Sequence, residues 1–231
     1  MLGDVPDPSP VTAPVPELRR RWTEVASDAG MSGGSIELGD DLIGRYREPH
    51  RHYHDARHLL EVLAAADRLA GPAGASVRTR LAAWFHDTVY EGRAGDDERE
   101  SASLARRALT EVGVDRALVD AVGVSVEATA SHLIPGEGPP VDADTAVLLD
   151  ADLAILAAAS DRYDEYAAAI RAEHPEVDDD TFRVGRSQVL HTLAERRHLF
   201  HTETGRRTLD PAARANLARE LARLSSGADG G

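Results

Sequence analysis

Residues 48–87 read EPHRHYHDARHLLEVLAAADRLAGPAGASVRTRLAAWFHD, and the spacing of types in that stretch decides the fold class. Leu59, Leu60, Val62, Leu63 and Ala66 recur at helical spacing, and the turn formers GPAGAS close the run. A second run, VRTRLAAWFHDTVY, has Val77, Leu81, Trp84 and Phe85 apolar and becomes apolar nearly all round toward its end. The spacing predicts two helices, the first from about residue 52 to 69 and the second over 77–90. On that reading His54 and His58, four apart, share one helix face with ~5–6 Å between Cβ atoms. His86 and Asp87 fall in the buried part of the second helix, where a polar pair is costly unless it is paired or metal-bound. Each helix then offers polar groups to a common point. A later acidic pair, Asp150 and Asp152 in LLDADLAIL, can complete the cluster.

Outward from that stretch the signals stay helical. Pro16 opens a first helix ending near Gly30, and a second runs over 36–46 before Pro49. A fifth starts near Asp97, and Asp115 caps a sixth. Asp142 or Asp144 starts a seventh, and Ser160 caps an eighth. Asp178 to Asp180 open a long ninth that reaches Phe200, and Asp210 with Pro211 begins a tenth. VGVSV at 122–126 is the one ambiguous run, and hairpin signals are missing. The expectation is an all-α fold of about ten helices in a single domain over 16–225. Residues 1–15 are Pro-rich and 226–231 are small and polar, so both are expected to be disordered.

Composition narrows the chemistry. A chain of 231 residues, 42% hydrophobic and 29% charged, suits a globular protein with a sizeable core. Its net charge of −14 argues against nucleic acid as partner. There is no Cys, so thiol nucleophiles, Cys-held zinc and iron–sulfur clusters are excluded. There is no Lys either, all 26 basic residues being Arg, which excludes Schiff-base chemistry and a Walker lysine. No run is long and apolar enough for a membrane span, and no secretion signal is recognisable, so a cytoplasmic location is expected.

Ten His and forty acidic residues are therefore the chemical resource. Two His and two Asp make a nitrogen–oxygen donor set, which suits a divalent ion such as Mn, Fe, Co, Ni, Zn or Mg and leaves room for water and substrate. Each group also has a structural reading. The histidines can be solvated helix-end residues. Asp97 and Glu98 can cap the fifth helix, and His132 can be a surface residue at the end of the sixth. Arg51, Arg57 and Arg186 are candidates for phosphate contacts, because guanidinium matches phosphate in fork geometry, or else are surface charges. Exposed faces of the first and tenth helices offer a surface for a homodimer.

The motifs EPHRHYHDARHL (48–59), AAWFHDTVYEGRAGDDERESA (82–102), LLDADLAIL (148–156) and FRVGRSQVLHTLAERR (182–197) occur in an order that resembles the HD-domain metal-dependent phosphohydrolases. The resemblance spans about residues 17–223 and implies an HD-type helical bundle. It implies His58, His86, Asp87 and Asp152 as metal ligands, Asp152 being preferred to Asp150 for its Ala-Asp-Leu context. The pattern from Tyr53 and His54 to His58 is also similar to cyclic-nucleotide phosphodiesterases of that superfamily, which implies His54 as proton donor. This chain departs from them in having Asp55 where they carry Asn. By the same resemblance Asp97 and Glu98 orient or deprotonate the attacking water. Arg51, His132 and Arg186 are expected to contact substrate. The expected activity is hydrolysis of a small phosphate ester, most simply a nucleotide. The alternatives are a non-catalytic nucleotide- or metal-binding module and a diiron oxygenase on the same fold.

Overall fold

Polar caps and apolar stripes turn this sequence into helices almost throughout. The computed structural model describes residues 14–93, 95–130 and 141–226. Among them are eleven α-helices, one 3-10 segment and no strand. Helix α1 (Pro14–Asp28) buries Leu18, Trp22 and Val25. Helix α2 (Ser35–Arg45) lies on it through Gly39, where a Cβ would enter the Trp22 indole. Helix α3 (Ala56–Ala70) buries Leu59, Val62, Leu63 and Ala66. Helix α4 (Val77–Phe85) is central: Leu81, Ala82, Ala83, Trp84 and Phe85 are wholly buried. Trp84 meets Trp22 edge to face, ring centroids 5.1 Å apart. Helices α5 (Asp96–Glu111) and α6 (Arg116–Thr129) pack as a pair, and α7 (Ala143–Asp152) lies against α3 and α4. These seven helices enclose one apolar core.

A second core follows the 3-10 segment Leu153–Ala157. Helices α8 (Ser160–Ala172), α9 (Asp179–Glu195), α10 (Glu203–Thr208) and α11 (Asp210–Ser226) complete it. Leu156, Tyr163, Leu190, Leu199, Phe200 and Leu217 form its centre, and Tyr53 joins it from the segment before α3. Each side chain so buried contributes ~1.5–3 kcal/mol. Asp152 stands at the junction of the two cores, as the last residue of α7.

Several boundaries differ from expectation, and each difference has a visible cause. Helix α3 begins at Ala56, not near residue 52. Asp55 is its N-cap, its side chain accepting from Arg57 N and His58 N at 2.8 and 3.1 Å. His54 therefore precedes the helix and does not share its face with His58. Helix α4 stops at Phe85 instead of continuing to Tyr90: the carbonyls of Ala83, Trp84 and Phe85 accept from His86 Nδ1, Tyr46 Oη and Thr88 Oγ1 at 2.8, 3.3 and 2.9 Å, and beyond them the buried Arg51 guanidinium takes the carbonyls of Asp87 and Thr88 at 2.7 and 3.2 Å. Helix α9 ends at Glu195, short of Phe200, where Arg214 donates to the carbonyls of Ala194, Arg196 and Arg197 and so takes the Ala194 acceptor that a further turn would use. Helix α10 was not expected. The VGVSV run is helical within α6. Residues 14 and 15 already belong to α1 and Ser226 to α11, whereas the rest of the expected arm and tail lies outside the described residues.

Candidate metal centre

Three segments bring four donors together. His58 lies in the first turn of α3, its position set by the Asp55 cap. His86 and Asp87 follow the end of α4, and Asp152 ends α7. His58 Nε2 lies 3.1 Å from His86 Nε2, 3.3 Å from an Asp87 oxygen and 3.3 Å from an Asp152 oxygen. His86 Nε2 lies 3.0 and 3.6 Å from the same two oxygens. All four donor atoms fall within 4.8 Å of one another, with both imidazoles buried.

This set fits a divalent cation. Donors ~2.0–2.2 Å from one ion at tetrahedral angles stand ~3.3 Å apart, and the spacings here bracket that value. His86 Nδ1 is 2.8 Å from the carbonyl of Ala83. A carbonyl only accepts, so Nδ1 carries the hydrogen and Nε2 keeps its lone pair for the cluster. Burial opposes charge on His58, yet the Asp152 and Asp87 carboxylates hold its pKa up at about 9. Burial likewise opposes charge on His86, and Asp87 foremost holds it well above the ordinary imidazole range. Asp87, which burial alone would push up, is held well below the carboxylate range by His86 and His58. The field that keeps protons on these imidazoles also favours a dication in their place. No family model, curated protein or solved structure matches this chain. The assignment of the centre therefore stands on its geometry.

The centre opens into a cavity of ≈ 640 Å³ whose lining includes Asp87, Asp152 and His54. His54 reaches it although it lies outside α3. Its backbone N–H, with those of His52 and Tyr53, donates to Glu173 Oε1 at 2.7–3.0 Å. Its Nδ1 donates to Glu173 Oε2 at 2.7 Å, and Tyr90 Oη donates to the same oxygen at 2.9 Å. Glu173 has no exposed side-chain surface; burial would raise its pKa, but His54 and the backbone donors bring it down to about 2. Tyr90 stacks on the His54 ring at 4.3 Å. With Nδ1 engaged, Nε2 is the atom of His54 that can exchange a proton with a bound molecule.

The remaining candidates are placed as follows. Asp97 and Glu98 line the cavity. Asp97 also accepts from Glu91 N and Arg93 N, and Glu98 from Gly95 N, so both close the loop before α5. Arg186 lines the cavity with its guanidinium paired to Glu220 and Tyr166. Arg51 has a buried side chain that donates to Glu48 and to the carbonyls of His54, Asp87 and Thr88, which ties the segment before α3 to the end of α4. Arg57 is half-exposed and pairs with Glu61 and Glu165. His132 lies outside the described residues. Asp150 is separated from the donors by function: wholly buried, it accepts from His201 N, Thr202 N and Thr202 Oγ1 at 2.6–2.8 Å.

Sequence reading missed Glu173 and Tyr90. Tyr90 had a weak signal, an aromatic three residues beyond Asp87. Glu173 had none, since it meets His54 across 119 residues of chain.

Proposed function

We propose that this protein is a metal-dependent phosphohydrolase acting on a small phosphate ester. One observation carries the reading: two imidazoles and two carboxylates converge on a point suited to a dication, and a third imidazole, fixed through its Nδ1, shares their cavity. His58, His86, Asp87 and Asp152 would hold the ion. When bound, such an ion supplies Lewis acidity toward a phosphoryl group and acidifies water.

The rest falls to the chain. In hydrolysis the water oxygen forms a bond to phosphorus while the ester P–O bond breaks, and the departing oxygen takes a proton. His54 gives that proton from Nε2, a contribution typically worth ~10²–10⁴-fold in rate. Glu173 holds the His54 ring through Nδ1, and Tyr90 holds Glu173. Asp97 and Glu98 stand in the cavity wall as candidates to orient the attacking water. Arg51 acts on this reading as scaffold, its buried side chain being bonded to Glu48 and to three carbonyls, while Arg186 in the cavity wall and His132 keep the role of substrate contacts beside the ion.

The experiment is elemental analysis of the purified protein, followed by phosphate release from nucleoside mono-, di- and triphosphates, cyclic nucleotides, sugar phosphates and alkyl phosphates with added Mn²⁺, Co²⁺, Zn²⁺ or Mg²⁺. Phosphate release that disappears in His86→Ala supports the reading. A protein that takes up the ion and hydrolyses none of these esters is a binding module instead.

A further inference from the structure

The cavity lining combines charged and apolar side chains. Four carboxylates line it, Asp87, Asp97, Glu98 and Asp152, against three arginines. Arg93 is paired with Asp97 and Glu100, and Arg186 with Glu220. Glu100, Glu220 and Glu173 add their charges from behind the wall, so a bound dication and the proton that His54 donates leave no large positive excess. Such a balance tolerates the ~−1.5 to −2 of a phosphate monoester better than the larger charge of a polyphosphate. No lysine exists to add to it.

Apolar side chains form another part of the lining, with Gln188 and Thr192 of α9 among them. Ile155 and Leu156 come from the 3-10 segment, Ile170 from α8, and Val189 and Leu193 from α9. Val189 is 52% exposed, one of four large hydrophobic residues so open among the described residues. Of the tyrosine hydroxyls in this lining, that of Tyr166 is engaged by Arg186 and that of Tyr90 with Glu173, while that of Tyr53 is buried without a hydrogen-bond partner. An apolar surface next to a charged centre favours a ligand with the same asymmetry.

We propose that the substrate is a phosphate monoester whose leaving group has an apolar body, seated against Ile155, Leu156, Ile170, Val189 and Leu193. The inference rests on the phosphohydrolase reading and names its substrate class. The ester oxygen then lies between the phosphoryl group at the donors and the apolar chain along α9, with His54 on the same side as the departing alcohol.

The test uses the Mn²⁺-loaded full chain and non-hydrolysable alkylphosphonates from methyl to octyl, with binding followed by calorimetry. Affinity is expected to rise with chain length, up to about fourfold for each methylene fully buried. Val189→Asn, at an exposed position that tolerates polarity, and Ile170→Ser should each flatten the series more than they weaken methylphosphonate. Alkyl phosphates should also be hydrolysed with higher kcat/KM than nucleoside triphosphates. Methylphosphonate binding with no dependence on chain length overturns the apolar site and leaves the phosphohydrolase reading standing. Tighter binding of a nucleoside triphosphate analogue than of octylphosphonate overturns it in the same way. No binding of any phosphonate, with no phosphate released from any ester, overturns both.

Discussion

At the scale of single residues the proposed mechanism separates groups that would hold an ion from a group that would move a proton. Replacing His86 or Asp87 by Ala should abolish metal retention, measured as ion per chain by elemental analysis. His54→Ala should keep the ion, because His54 is not one of the four donors, and lower kcat by ~10²–10⁴-fold. Glu173 gives a prediction about pH. Its folded pKa is depressed to about 2 from 4.5, so the stability it contributes is full above 4.5 and is lost as pH falls through about 2. The contribution is on the order of 3 kcal/mol at most, each pKa unit being ~1.4 kcal/mol. Urea midpoints measured between pH 6 and pH 2 should fall less steeply for Glu173→Gln than for the parent chain. Of the four donors, the His-Asp pair was legible because it breaks an apolar run after LAAWF, whereas His58 among neighbouring histidines and Asp152 beside Asp150 were singled out only by the motif resemblance. Glu173 was not legible, since a Glu followed by His and Pro at the end of a helix looks like ordinary solvated surface.

At the scale of elements, helix existence followed from periodicity, and helix ends followed from tertiary contacts. Asp115, Asp142 and Asp178 are N-caps that can be read locally, whereas Asp55 is obscured by the histidines before it. At the end of α4 the carbonyl of Trp84 accepts from Tyr46, and at the end of α9 that of Ala194 accepts from Arg214, and contacts of such long reach leave no local mark. Helix α10 is six residues long, too short for periodicity to report, and it is seated on buried Asp150. A Cβ at Gly205 would lie 2.6 Å from an Asp150 oxygen. Gly205→Ala should therefore destabilise the protein by ~1–3 kcal/mol, and Asp150→Ala should do so by a similar ~1–3 kcal/mol through stranded donors at His201 and Thr202. Neither change should reduce the metal content, whereas Asp152→Ala should. Thermal midpoints and elemental analysis on the three variants separate the two aspartates.

At the scale of the whole molecule the donor set joins two apolar cores. His58 belongs to a helix of the first, His86 and Asp87 directly follow another, and Asp152 is where the chain leaves it for the second. Sequence reading gave one all-α domain without dividing its interior, because both cores use the same residue types and no linker marks the change. An ion bound at such a junction stabilises the folded state by ~2.7 kcal/mol at a free concentration 100 times its Kd. Chelation should accordingly lower the melting temperature of the parent chain and leave that of His86→Ala unchanged. Arg51 has a separate consequence. One guanidinium grips the carbonyls of His54, Asp87 and Thr88, which ties the segment carrying His54 to the corner carrying His86 and Asp87. The gap between the proposed proton source and the candidate cation site is thus gauged by a side chain outside the cavity. A lysine there, with one ammonium in place of a planar fork, could not keep that gauge.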